Sequence, residues 1–120
     1  MKDDPNLPYG SGTLPPEIRA RTVRDVNGLN VNVLESGFQD SGRSLVLLLH
    51  GFPELAYGWR KVMLPLAAAG YHVVAPDQRG YGATERPEPV ESYDIEHLTG
   101  DLIGLLDHLK IDKAIFVGHD

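Results

Sequence analysis

The chain has 120 residues, 11 basic and 17 acidic, with a formal net charge of -6. That balance argues against nucleic acid or an anionic membrane as a partner, since both call for clustered Lys and Arg. The complete lack of cysteine excludes disulfides, thiolate metal sites and cysteine nucleophiles, and it fits a reducing compartment. The longest unbroken apolar run, Leu45–Leu49, falls far short of the roughly 20 residues a membrane-spanning helix needs. Met1-Lys2-Asp3-Asp4-Pro5 has acids where a secretory leader would have a basic start and an apolar stretch. The expected location is the cytoplasm.

Residues 1–17 hold four of the nine prolines, together with Gly10 and Gly12, and show no hydrophobic period. They read as an extended lead-in. Residues 18–120 read as the N-terminal part of a core domain. Arg19–Val26 partly alternates, Asn27-Gly28 interrupts, and Leu29–Val33 alternates strictly. Asn-Gly is a strong hairpin signal, because a type I′ turn needs positive φ at both central positions. Alternation predicts two antiparallel strands near a sheet edge, each with one wet face.

The next strands have a different character. Leu45–Leu49 and Ala114–Val117 are continuous apolar runs, and Tyr71–Ala75 is nearly so. Such runs predict burial on both faces, as in parallel strands covered by helices. A helix is expected over about Trp59–Ala69, stopped by Gly70. A second is expected after Asp94 as N-cap, with Ile95, Leu98, Leu102, Leu105, Leu106 and Leu109 as its apolar stripe. Pro87-Glu88-Pro89 reads as a loop linker. The order predicts an α/β fold, a mostly parallel sheet opened by an antiparallel hairpin. A doubly buried last strand asks for a helix after it and a neighbour beside it, so the chain is expected to be a fragment or one piece of a nicked chain, ending at a nucleophile elbow.

Three loops follow these strands, on the side where α/β sheets carry their sites. His50-Gly51-Phe52-Pro53-Glu54 follows Leu49. Glycine permits close approach and proline stiffens the turn, so the Phe52 amide suits an oxyanion hole; a tight turn with a buried structural His50 reads equally well. Asp77-Gln78-Arg79-Gly80-Tyr81-Gly82 reads as a structural reversal ahead of a phosphate cradle, since it lacks the lysine and the glycine spacing of known phosphate loops. Gly118-His119-Asp120 reads as the first half of a nucleophile elbow, or as an aspartate capping a following helix. A carboxylate nucleophile suits displacement at saturated carbon, with formation of an alkyl ester. Tyr57 and Trp59 could line a pocket, although core packing is the better reading for Trp59. The histidines show no metal-ligand spacing with carboxylates on one face.

Taken together, HGFPE, Trp59-Arg60, Asp77-x-Arg79-Gly80-Tyr81-Gly82 and Gly118-His119-Asp120 resemble the α/β-hydrolase-fold epoxide hydrolases of the soluble type. The resemblance runs over about residues 18–120. It implies Asp120 as nucleophile, the Phe52 amide as an oxyanion-hole donor, Glu54 as support for the water and the catalytic histidine, and His119 as support for the elbow. Phe52 and Pro53 would contact substrate. It implies no cofactor and no metal. The family's base histidine, its acidic partner and the cap-domain tyrosines would come from the rest of the fold, for which His50, His72, His97 and His108 do not substitute; the chain alone is expected to be inactive. The implied reaction converts epoxides to vicinal diols. The haloalkane and fluoroacetate dehalogenases share most of these motifs, and an inactive fragment or a binding protein of the same fold is the third reading. Glu54 favours the epoxide side, because an acid there would repel a departing halide.

Overall fold

A computed structural model of the chain describes residues 13–119. Its elements are β1 (Arg19–Val26), β2 (Leu29–Ser36), β3 (Leu45–Leu49), a 3-10 turn (Ala56–Trp59), α1 (Arg60–Ala68), β4 (His72–Pro76), a second 3-10 turn (Val90–Tyr93), α2 (Ile95–Leu109) and β5 (Ala114–Gly118). The strands form one sheet in the order β1-β2-β4-β3-β5. Among the described residues the sheet is evenly mixed: β1/β2 and β2/β4 are antiparallel, β3/β4 and β3/β5 parallel. The antiparallel pairings are those of the hairpin that opens the sheet, with β2 beside β4, and the parallel ones are those of the three strands expected to run parallel.

The hairpin forms as its turn chemistry requires. Val26 pairs with Leu29, and Asn27 and Gly28 both take positive φ, 50° and 81°, the pair of values a type I′ turn needs. A bulge between Val23 and Val26 sets Asp25 at a φ of 57°.

Alternate residues of the strands feed two cores. Leu34, Val46, Leu48, Val73 and Ala75 pack with Met63 of α1 and Ala56 on one face. Val23, Val31, Val33, Leu45, Leu47 and Val74 pack with Leu105 of α2 on the other. The apolar runs of β3 and β4 therefore bury both faces, as their lack of alternation predicts. Trp59 and Tyr57 pack partly buried against the first core.

Three expectations are corrected. The alternation in β2 does not mark a wet face: Asn32, Glu35 and Ser36 are all buried, because β2 lies between β1 and β4 and its polar groups find partners inside. Strand β5, expected to be buried on both faces, leaves Ile115, Phe116 and Val117 exposed, since among the described residues it is an edge strand paired only with β3. Ile95 of the α2 stripe is exposed as well, lying in the first turn of the helix. The first helix begins at Arg60, after the 3-10 turn, and ends at Ala68; Gly70, two residues on, has a φ of 102°. Asp94 caps α2 as expected, accepting the His97 amide at 2.9 Å. No helix among the described residues is long and apolar enough to cross a membrane.

Candidate functional site

Because β3, β4 and β5 run parallel, their carboxyl ends open on one side, and the loops after β3 and β4 lie there with the end of β5. The His119 amide continues the ladder past β5, donating to the Leu49 carbonyl at 3.1 Å. The end of β5 thus lies against the residue that precedes the His50–Glu54 loop. Asp120 itself lies outside the described residues.

The loop after β3 is a four-residue turn. The Glu54 amide donates to the Gly51 carbonyl at 2.9 Å, and the Phe52–Pro53 peptide is cis, the type VI arrangement. Phe52 is three-quarters exposed, and Pro53 and Glu54 are also exposed. Among the described residues the Phe52 amide donates to no acceptor. The Glu54 carboxylate lies over Gly58, where an added Cβ would stand 3.2 Å from its Oε1.

His50 is buried, as the structural reading of that residue expects, and it joins the first loop to the second. Its Nε2 accepts the Gln78 backbone amide at 2.9 Å, and its carbonyl accepts the Gln78 side-chain amide at 2.6 Å. The other ring nitrogen, Nδ1, lies 3.0 Å from the Gly51 carbonyl. The Tyr81 ring stands edge-on to the imidazole, 4.9 Å between centroids.

The second loop is structural, held by Asp77 from within. The fully buried Asp77 carboxylate accepts the Ala56 amide at 2.9 Å, the Asn32 side chain at 2.8 Å and the Ala83 amide at 3.2 Å. Its occupied oxygens leave no anion cradle, and an added Cβ at Gly82 would collide with them. Arg79 donates to the Ser92 carbonyl at 3.1 Å, but its main tie is a paired grip on Asp101 of α2. That hydrogen bonding raises the Arg79 guanidinium above its ordinary value, against the opposing effect of burial. Tyr93 covers Gly80 and donates to the Pro87 carbonyl at 2.7 Å, which ties down the Pro87–Pro89 linker.

His72, His97 and His108 lie outside the three motifs. His72, at the opposite end of β4, pairs with buried Glu35 at 2.5 Å, and His97 pairs with Asp94 on the surface at 2.6 Å. Among the described residues no group of His, Asp and Glu could hold a metal ion.

A sequence model of the alpha/beta hydrolase fold matches residues 44–120. The chain belongs to the alpha/beta hydrolase fold family. Within that family this hydrolase-fold chain is 56% identical over 96 residues to Epoxide hydrolase A of Mycobacterium tuberculosis, covering 80% of the chain and 29% of that protein. It is 47% identical over 96 residues to the AB hydrolase superfamily protein YfhM of Bacillus subtilis, covering 80% of the chain and 33% of the relative. Among solved structures, Epoxide Hydrolase A from Mycobacterium thermoresistibile superposes with a TM-score of 0.81 at 52% identity, over 86% of this chain and 31% of that one. Epoxide hydrolase VrEH1 from Vigna radiata superposes at 0.78 with 49% identity, over 87% and 32%. The hydrolase-fold chain therefore spans about a third of the length of these relatives.

Two residues that organise the site carried no separate signal in the motif reading. Asn32 hid in the alternation of β2. Asp101 lies on the apolar stripe of α2, three residues after Leu98 and one before Leu102; a carboxylate on a buried stripe is the mark that could have revealed it.

Proposed function

We propose that the chain forms the nucleophile side of an epoxide hydrolase site. An oxygen of the Asp120 carboxylate attacks an epoxide carbon. The carbon–oxygen bond of the ring breaks, and the alkoxide takes a proton from donors in the cap. Water, deprotonated by a histidine elsewhere in the fold, then attacks the carbonyl carbon of the Asp120 ester. The resulting oxyanion is met by the Phe52 amide and by the amide following Asp120. Its collapse breaks the ester bond, and the leaving oxygen takes the proton held by the histidine to give the diol. The Asp120 carboxyl returns its proton to the cap donors as the carboxylate is restored. Deleting one such donor typically slows the reaction about a hundredfold or more. Glu54 supports the water and the base, His119 supports the elbow, and Phe52 and Pro53 line the substrate's approach.

The observation that carries this reading is the Phe52 amide, undonated and on a turn at the carboxyl end of β3, beside the strand end that leads to Asp120. The names of the relatives support the same substrate class. The exposed apolar side chains of β5 support a further part of the reading: polypeptide of the same fold covers this strand and brings the base histidine, its acidic partner and the cap. The cysteine-free composition supports a cytoplasmic setting.

The test is intact mass spectrometry of the polypeptide as its own cells make it, before and after excess styrene oxide. A transient adduct mapped to Asp120 is expected. An adduct formed only from haloalkanes would replace epoxide hydrolysis with dehalogenation, and no adduct from either would refute a covalent mechanism.

A further inference from the structure

The Gly51–Phe52 peptide is a single trans-planar unit, so the direction of its carbonyl fixes the direction of its N–H on the opposite side. The Gly51 carbonyl is held by two donors. One is the Glu54 amide at 2.9 Å, which closes the turn; the other is His50 Nδ1 at 3.0 Å. The second bond requires a proton on Nδ1, and the other face of the ring imposes the same state. Gln78 offers a backbone N–H to Nε2 at 2.9 Å, and a backbone N–H can only donate, so Nε2 must carry a lone pair. Both neighbours thus select one neutral tautomer, with the proton on Nδ1. The ring is buried, and the Gln78 side chain, donating to the His50 carbonyl at 2.6 Å, ties the same residue a second time.

We propose that His50 is a positioning residue: its Nδ1–H tautomer, selected by Gln78, pins the Gly51 carbonyl so that the Phe52 N–H is presented to the oxyanion. This rests on reading the Phe52 amide as an oxyanion donor. The loop after β4, otherwise structural, therefore reaches the chemistry through the imidazole. Without the Nδ1–H bond one restraint on the peptide plane disappears, and rotation of that plane would put a carbonyl where the donor belongs.

Two measurements test this independently. In two-bond 1H–15N spectra of the labelled full chain, with His50 assigned by its loss in His50→Phe, the ring should show a protonated Nδ1 and a bare Nε2. That is the minority form of free imidazole; a protonated Nε2 or an averaged pair would overturn the proposal. For epoxide turnover by the intact polypeptide, His50→Phe should lower kcat about tenfold or more with KM little changed. His50→Asn, whose Nδ2 can occupy the place of Nδ1 and donate to Gly51, should recover part of that loss. Folded His50→Phe with unchanged kcat would overturn the proposal, as would His50→Asn no better than His50→Phe. If His50→Phe does not fold, His50→Asn serves for the assignment and the ring spectra decide: a protonated Nε2 there would overturn the proposal. Absence of epoxide turnover in the unmodified protein would refute the assigned reaction, while the ring spectra would still decide the tautomer.

Discussion

Arg79 and Asp101 meet side-on: Nε donates to Oδ2 at 3.0 Å and Nη2 to Oδ1 at 2.8 Å, with both side chains nearly out of water. The pair ties the loop after β4 to α2, and Asn27 extends it to the hairpin by donating to Asp101 Oδ1 at 3.1 Å. One carboxylate thus joins three segments that are distant in sequence. Asp101→Ala leaves a guanidinium buried without its counter-ion, a change that typically destabilises by about 3–5 kcal/mol. Replacing both residues with apolar ones of similar size should restore much of that stability. Urea midpoints of the single and double variants check this; a single variant within about 0.5 kcal/mol of the parent would show that the pair does not hold the loop.

Glycines with left-handed backbone should differ according to what surrounds them. Gly28, at a φ of 81°, has nothing within 4 Å of an added Cβ. Gly28→Ala should therefore cost only the backbone preference, about 1 kcal/mol. Gly82, at a φ of 53°, adds a collision with the Asp77 carboxylate, and Gly82→Ala should lower the thermal midpoint clearly further. The reverse order would mean that Asp77 can move, contrary to its three ties.

Acid should loosen the sheet at its other end. Burial pushes the Glu35 carboxyl up, but hydrogen bonds from His72, Arg21 and Arg19 and the charge of Arg21 outweigh it, lowering its pKa from 4.5 to about 2. A folded value below the unfolded one means stability that is present above about pH 4.5 and lost as pH falls toward 2. Urea titrations across that window should show the loss, and Glu35→Gln should flatten it. A parent and variant with parallel pH profiles would remove Glu35 as the cause.

Phe52 separates stability from function. Its ring is three-quarters exposed, so Phe52→Ala should leave the midpoint within about 0.5 kcal/mol while its backbone N–H stays in place. If the ring meets substrate, KM for an aromatic epoxide rises and kcat changes little. Equal KM values would take the side chain out of the binding site and leave only the amide.

The parts of the fold most legible in the sequence are those whose signals are local. Asn27-Gly28 identifies its turn because both residues must carry positive φ. Leu45–Leu49 identifies a doubly covered strand because it lacks a polar face. The motifs around His50 and Asp77 are likewise legible as loops at the carboxyl ends of strands. What stays hidden is who partners whom. Asn32 alternates with valines as a surface residue would, and only the sheet order, with β2 between β1 and β4, turns it inward toward Asp77. His50 is visible as a histidine in a tight turn, whereas its bond to Gln78 joins residues 28 positions apart. Exposure of β5 follows from its having only β3 as a neighbour among the described residues, where its apolar sequence asks for cover.

Strand β2 buries a polar group toward each of its ends: Asn32, which meets Asp77 and Thr84, and Glu35, which meets Arg19, Arg21 and His72. Sliding this strand by one residue would turn both side chains over together, setting each among the hydrocarbon of the opposite core, with a valine facing the partners that Asn32 vacates and Leu34 or Ser36 those of Glu35. The two residues work like the notches of a key. An apolar strand would tolerate several alignments during collapse, whereas this one rewards a single alignment, and the three loops beyond it inherit that choice.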